Sequence, residues 1–507
     1  MPRGVALATV LAVLFLTFLD TTIVSVALGN IQFDLGAGVI PLQWVVNAYS
    51  LVFASLMLMA GSLSDRWGRK WMMVGGIAVF CSGSVLCALA PNVATVIGGR
   101  AVMGVGAAAS EPGTLSVIRH LYPDRRHRAR ALGAWAAVSG LSLAMGPVIG
   151  GLLVGAAGWR AVFWFNLALG TLLLVAATLY VPNSSDRQPG RPDVWGFALG
   201  VVMLGSLIFA GISGEQFGYG APWIVALFVV SGIALLGLVR VERRVRNPMI
   251  DARYLKSPAV SGALFVAFAV YFGVFSIFFF TALYLDLVIG YSGWQMAGVF
   301  APMAAAIVIG SLVSGRWVAQ FGTRTPMIMG CVVSAIGIFG SRQYLTAHPS
   351  FAALALVLGL AGLGFGVAVV PLTAAVLGYV PAQHSGMAAS ATNTARQLGA
   401  VIGVAALGGL VTSHLTSDFG SSLTHSGITG SGKDFIIKML ETGGSDAAGI
   451  NIAHPSPFIK PLVDAATAAF RQGLHAALFV SAAMILVAAT VIALVPRSAL
   501  APDSEYD

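Results

Sequence analysis

Apolar residues along this chain fall in long blocks separated by short polar breaks. The first block runs over about residues 5–28, and others follow near 41–60, 71–90 and 93–118. A fifth carries Gly140 to Gly151, a sixth carries Trp159 to Leu167, and two more fill 195–212 and 223–239. Six further blocks lie near 258–283, 296–314, 327–344, 351–380, 387–412 and 469–495. A helix rises about 1.5 Å per residue and a hydrocarbon core is about 30 Å thick, so each block is of spanning length. The pattern predicts an all-α polytopic membrane protein with fourteen spans. Only Arg3 precedes the first block, which is longer than the 7 to 15 residues of a signal-peptide core and is expected to remain as the first span.

Composition agrees with the pattern. Apolar residues make up 57% of the 507 and charged residues 9%, against roughly 25% charged in a soluble domain. The chain therefore has a lipid bilayer as its solvent. A net charge of +9 could indicate nucleic acid, but the Lys and Arg are scattered through short loops. With the amino terminus inside and fourteen spans, most of the 28 Lys and Arg fall in inside loops, as membrane topology requires, and both termini are cytoplasmic. Cys81, Cys87 and Cys331 all sit in apolar blocks, which predicts buried thiols and neither disulfide nor metal site.

Within the blocks, charge is rare and for that reason informative. Asp20 is the only charged residue of LDTTIVSVAL, and an ionisable group in a spanning helix is a functional candidate by its cost. Arg100 and Glu111 stand eleven residues apart in the fourth block, about three helical turns and roughly 16 Å, which predicts one face carrying both signs. Depth also relates Asp20 to Arg100. Counted from opposite ends of their blocks, both fall at about 20 Å from the inside, so the two are expected to face each other. Arg396 in TNTARQLG is expected to be an interhelical anchor. Phe265, Phe268, Phe272, Phe275 and Phe279 recur at alternating spacings of three and four, making one aromatic stripe, either for packing or for stacking against a flat lipophilic substrate.

Between the second and third blocks stands GSLSDRWGRK, residues 61–70, a compact polar hairpin whose charges belong at a membrane face. It resembles the signature of the major facilitator superfamily through Gly61, Leu63, Asp65, Arg66, Gly68, Arg69 and Lys70. A weaker copy, GRWVAQFGTR at 315–324, has Ala319 in place of Asp65, so the chain reads as a duplicated half with one degraded copy. RAVMGVGAA at 100–108 resembles a second motif of the family, with Met103 where Gln is usual. GLSLAMGPVIGG resembles the antiporter signature. There Gly146, Gly150, Gly151 and Gly155 would leave a groove for close helix contact, and Pro147 would permit a bend. LDTTIVSVAL and WRAVFWFNL resemble segments of the fourteen-span drug/proton antiporters.

The resemblance implies a major facilitator fold of six plus two plus six spans: a first bundle over 1–181, two linking helices with their loops over 182–257, and a second bundle over 258–507 with an outside loop at 413–468. It implies a transporter in the cell membrane rather than an enzyme, exporting lipophilic small molecules, cationic ones included, in exchange for protons. Asp20 is then the first choice for the proton-carrying carboxylate and Glu111 the second, with Arg100 tuning the site. Gly61, Asp65, Arg66, Gly68, Arg69 and Lys70 would form a gate on the inside face. An uptake symporter, an exporter of lipids or natural products, and a non-transporting scaffold are the alternatives. GITGSGKD at 427–434 matches a phosphate-binding loop except at Asp434. With no strand leading into it and a place outside the cell, it is read as chance, so neither ATP nor any other cofactor is expected.

Overall fold

The computed structural model describes residues 3–37, 39–183, 194–244, 254, 256–287, 289, 291, 293–346, 349–380, 385–414 and 460–495. The motif at 427–434, residues 415–459 of the outside loop and residues 184–193 of the polar linker lie outside the described residues, as do the side chains of Asp65, Pro147 and Phe279; residues 413–414 and 460–468 of the expected loop are helical. Every long element is a helix. The first half comprises α1 (Arg3–Ile23), a 3-10 turn (Val24–Ala27), α2 (Leu28–Leu35), α3 (Val39–Trp67), α4 (Arg69–Ala88), α5 (Val93–Ser110), α6 (Pro112–Leu121), α7 (Arg125–Ala157) and α8 (Arg160–Tyr180). Then come α9 (Val194–Phe217) and α10 (Pro222–Glu242). The second half comprises α11 (Pro258–Leu287), α12 (Gly293–Phe321), α13 (Arg324–Tyr344), α14 (Phe351–Tyr379), α15 (Ser385–His414) and α16 (Lys460–Leu494).

Among the described residues, 12 helices are long and apolar enough to cross a membrane, and 13 when the two limbs of α7 are taken as one bent span. The block expected at 41–60 lies within α3, where the apolar stretch Trp44–Met57 falls short of that length. Leu236 in α10, Leu356 in α14 and Leu494 in α16 are exposed by more than 60%, as side chains facing lipid should be.

The two halves repeat one packing scheme. In the first, α1 packs on α7 and α8, α3 on α5, and α4 on α5 and α8. In the second, α11 packs on α15 and α16, α12 on α14, and α13 on α14 and α16. The halves meet through α7 against α12 and α3 against α15, two contacts that the same repeat interchanges. Even the glycine contacts recur. A Cβ on Gly76 of α4 would come within 2.6 Å of the Gly106 carbonyl oxygen in α5, and one on Gly330 of α13 within 2.8 Å of that of Gly364 in α14. Such small-residue seams let membrane helices approach without a hydrophobic driving force. α9 packs on α10, α3 and α15, beside one seam between the halves.

The polar hairpin at 61–70 is tighter than its charges suggest. α3 continues to Trp67, Gly68 alone turns the chain at φ 97°, and α4 starts at Arg69. A left-handed φ is cheap only for glycine, which is why one residue suffices. The degraded copy also turns on a left-handed glycine but takes two residues: α12 ends at Phe321, Gly322 has φ 77°, Thr323 follows, and α13 starts at Arg324. These two turns, the start of α1 and the Asp124 cap of α7 lie on one end of the helix array, hereafter the basic face. There Asp124 accepts hydrogen bonds from the backbone N–H of His127 at 2.9 Å and contacts its ring at 2.7 Å, and these bonds hold the Asp124 carboxyl below its usual range.

Candidate functional site

α1 brings Asp20 into the middle of the first half, where it is fully buried. Arg100 from α5, also fully buried, donates through Nη1 to Asp20 Oδ2 and through Nε to the Val45 carbonyl oxygen at 2.9 Å. Asn166 from α8 donates to Asp20 Oδ1 at 2.6 Å. The guanidinium lies 4.4 Å above the Tyr49 ring of α3, and the Tyr49 hydroxyl donates to the Thr17 carbonyl oxygen at 2.8 Å. Four helices thus converge on one ion pair. A buried pair is tolerable only when its remaining hydrogen-bonding capacity is met, and the amide and the ring face meet most of it. Arg100 Nη2 and Asn166 Oδ1 have no hydrogen-bond partner among the described residues.

Glu111 belongs to a different cluster. The helix containing Arg100 ends at Ser110 and a new one begins at Pro112, since proline favours the first turn of a helix. Glu111, at this break, is fully buried and accepts from Asn393 Nδ2 of α15 at 2.5 Å. Asn393 Oδ1 accepts from Arg396 Nη1 at 3.0 Å, and Arg396 Nη2 donates to Thr373 Oγ1 of α14 at 2.5 Å. The Arg396 guanidinium lies 4.6 Å from the Trp135 ring of α7 and 5.5 Å from that of Tyr271 of α11. Arg396 is the interhelical anchor the sequence predicts. The single face expected to carry both Arg100 and Glu111 instead serves two clusters, one within the first half and one between the halves.

The glycine signature packs where α1 gives way to its 3-10 turn. A Cβ on Gly146 would meet Ile23 N at 2.9 Å and one on Gly150 the Ile23 carbonyl oxygen at 2.7 Å, while Thr22 Oγ1 donates to the Leu143 carbonyl oxygen at 2.9 Å. α7 bends by 42° across the break between Leu143 and Val148, the stretch of sequence that holds Pro147. Gly155 departs from the expected groove, having open space around it. On the basic face, Arg69 is buried with its carbonyl oxygen beside Gly113, Lys70 Nζ lies 5.6 Å from the Trp71 ring, and Gly68 abuts the Asn183 side chain just beyond α8. Arg66 is half-buried, and Gly61 is buried in the penultimate turn of α3. Of the aromatic stripe, Phe272 is buried and Phe265, Phe268 and Phe275 are half-buried. Phe265 and Phe268 stack at 6.5 Å, and the Phe268 carbonyl abuts Gly399 of α15. Part of the stripe is therefore helix packing.

Some site residues had no sequence signal of their own. Asn166 lies inside the WRAVFWFNL motif, and Asn393 three residues before Arg396, but a neutral amide in an apolar helix does not announce its partner. On the opposite face, Asp34 accepts from Trp159 Nε1 and from Arg160 Nη1, both at 3.0 Å, and Arg160 Nη2 donates to the Ala90 carbonyl oxygen at 3.2 Å. The adjacent Trp and Arg at the start of a block were the available pointer to it.

Two helical halves related by a repeat, with buried ionisable clusters in and between them, define a membrane transporter fold. The Major Facilitator Superfamily profile matches residues 10–404, and the chain belongs to that family. It is 33% identical over 404 residues to the multidrug resistance protein Stp of Mycobacterium tuberculosis, covering 80% of this chain and 75% of that one. It is 32% identical over 493 residues to the multidrug efflux pump LfrA of Mycolicibacterium smegmatis, covering 96% of this chain and 95% of that one. With the methylenomycin A resistance protein of Streptomyces coelicolor it shares 33% identity over 418 residues, 82% and 87% of the two chains. Among solved structures, the human organic anion transporter MFSD10 superposes with a TM-score of 0.65 at 13% identity, over 97% of this chain and 100% of that one. The proton:xylose symporter XylE gives 0.61 at 14%, over 97% and 96%.

Proposed function

We propose that this protein is a proton-coupled efflux antiporter that exports lipophilic drugs or antibiotics, cationic ones among them, by rocking its two halves about the seams formed by α7 with α12 and α3 with α15. The observation that carries the reading is the fully buried cluster of Asp20, Arg100 and Asn166. A carboxylate held by a cation and an amide in a low-dielectric bundle can exchange a proton only by rearranging those partners, which makes its protonation a conformational event. The names of the relatives, multidrug and antibiotic resistance proteins, favour export and drug-like substrates.

In this reading the chain has fourteen spans, with α3 counted as one, divided as bundles over 1–181 and 258–507 joined by α9 and α10. The basic face is cytoplasmic and both termini lie there. Protons from the opposite face neutralise Asp20, Arg100 is released from it, and the site returns facing the cytoplasm. The 61–70 turn, with Asp65, Arg66 and Arg69, acts as the cytoplasmic gate, and the half-buried phenylalanines of α11 contribute stacking surface for the substrate.

The test is transport in proteoliposomes under an imposed pH gradient, screened over cationic and neutral lipophilic compounds. Substrate should move against its gradient when protons flow the other way, and Asp20→Asn should lose this while keeping downhill exchange. Flux of substrate and protons in the same direction would make the protein a symporter. Uphill transport by Asp20→Asn would move the proton elsewhere.

A further inference from the structure

Two clusters of the same chemical make-up are buried in this protein, and they sit in different mechanical positions. Each contains a carboxylate, an amide that donates to it, and an arginine over an aromatic ring: Asp20, Asn166, Arg100 and Tyr49 in one, Glu111, Asn393, Arg396 and Trp135 in the other. All residues of the first come from the first half. In the second, Glu111 and Trp135 come from the first half, while Asn393 and Arg396 come from the second. When the halves move apart at this level, the bond from Asn393 to Glu111 must break.

The surroundings place that bond at a closure. α6 packs on α15, and at its end Arg119 Nη1 donates to the Val380 carbonyl oxygen at 2.7 Å, a second bond between the halves toward the basic face. Glu111, Asn393 and Arg396 are 0%, 2% and 2% exposed, so water does not compete for the bond while it is made. The carboxyl itself is only half engaged. Oε2 accepts from Asn393, whereas Oε1 is buried without a partner among the described residues and is the atom placed to take a proton.

We propose that Glu111, Asn393 and Arg396 form a proton-released latch between the halves at the basic face. Ionised Glu111 keeps that face shut, and a proton on Oε1 loosens it. A hydrogen bond to a carboxylate is about twice as strong as one to a neutral acid. Protonation therefore weakens the bond without requiring it to break first. Asn393, set between Glu111 and Arg396, transmits the charge of the guanidinium without the cost of parting a direct buried ion pair. The contact of Arg396 with Trp135, also made between the halves, does not depend on the proton, so protonation loosens the latch and does not abolish it. The charged and titratable groups facing Glu111 among the described residues are Arg396 from α15, Tyr271 from α11 and Tyr49 from α3. α7 presents Trp135 and Ser139, neither of which titrates, α4 brings its backbone at Arg69, and the one carboxyl of α1, Asp20, is taken up by Arg100 and Asn166. The proposal rests on the reading of the protein as proton-driven, but it makes Glu111 a separate proton site with a mechanical task. The direction fits that reading, since a proton bound from the opposite face would favour opening of the basic one.

The test measures the latch directly, with spin labels on Arg126→Cys and Phe321→Cys in a protein whose three cysteines are replaced by alanine. Both positions are exposed, near the basic-face ends of α7 and α12. In nanodiscs, the long-distance population of the parent should rise about five- to tenfold between pH 8 and pH 5, as expected when a charge-assisted bond becomes a neutral one. Glu111→Gln and Asn393→Ala should give the long distance at both pH values, and Glu111→Asp should keep the response. A parent that does not respond to pH, or a response undiminished in Glu111→Gln, overturns the latch. If Glu111→Gln is not recovered folded, an undiminished response in Asn393→Ala does so. Uphill transport by Asp20→Asn would defeat the Asp20 mechanism while leaving the latch standing, because the latch is read as a distance.

Discussion

Asp20 and Arg100 stand eighty positions apart in the chain and form an ion pair with no exposed surface on either side chain. Removing one member strands the other in low dielectric, and such losses run to about 3–5 kcal/mol. Arg100→Ala is therefore expected to lower the thermal stability of the purified protein more than Asp20→Asn, which keeps a polar side chain of the same shape. Asn166→Ala removes only a donor and should cost about 1–3 kcal/mol. Thermal unfolding in detergent, followed by tryptophan fluorescence, gives the order. Asn166→Ala as damaging as Arg100→Ala would mean that the amide, and not the cation, carries the cluster.

Asp65 lies in the last turn of α3, where the chain is about to turn on Gly68. If it acts in the gate and not in the substrate site, Asp65→Asn should slow transport while substrate affinity stays within a few fold. Binding by fluorescence quenching, set beside initial export rates, separates the two. Affinity falling in step with rate would place Asp65 in the site or in the fold.

How far such sites could be read from sequence depended on whether a residue's cost was visible locally. Asp20, Arg100, Glu111 and Arg396 stood out because a charge in an apolar block is expensive wherever it points, and equal depth was enough to pair the first two. Asn166 and Asn393 did not, because an amide is cheap enough to pass as background and its partners lie 146 and 282 positions away. The hairpin at 61–70 was legible as a membrane-face turn but not as a one-residue break, since charge density does not separate a loop from two abutting helix ends. Pro112 explains why Arg100 and Glu111, on one apolar block, serve different clusters: the block is continuous in hydropathy but not in hydrogen bonding.

The glycine signature separates by position. Gly146 and Gly150 press on Ile23, so Gly146→Val and Gly150→Val would force α7 from α1. Overpacking of this kind costs about 1–3 kcal/mol. Gly155 has open space around it, so Gly155→Ala should be silent in both stability and transport. Equal effects at all three positions would show that the motif acts through helix flexibility and not through close approach.

Export and uptake are told apart only once the orientation of the helices in the membrane is fixed. Alternating the helices from the start of α1, with α3 counted as a span, ends α8 on the basic face and α15 on the opposite one. The basic face carries Arg66, Arg69, Lys70, Arg119 and the Arg125–Arg130 cluster, and an excess of cations marks the cytoplasmic side of a membrane. Single cysteines placed in 183–192 should therefore react with a membrane-impermeant maleimide only in inverted vesicles. Cysteines placed in 421–431 should react only in intact cells. If α3 did not cross, the two regions would exchange sides, the first reacting in intact cells and the second in inverted vesicles.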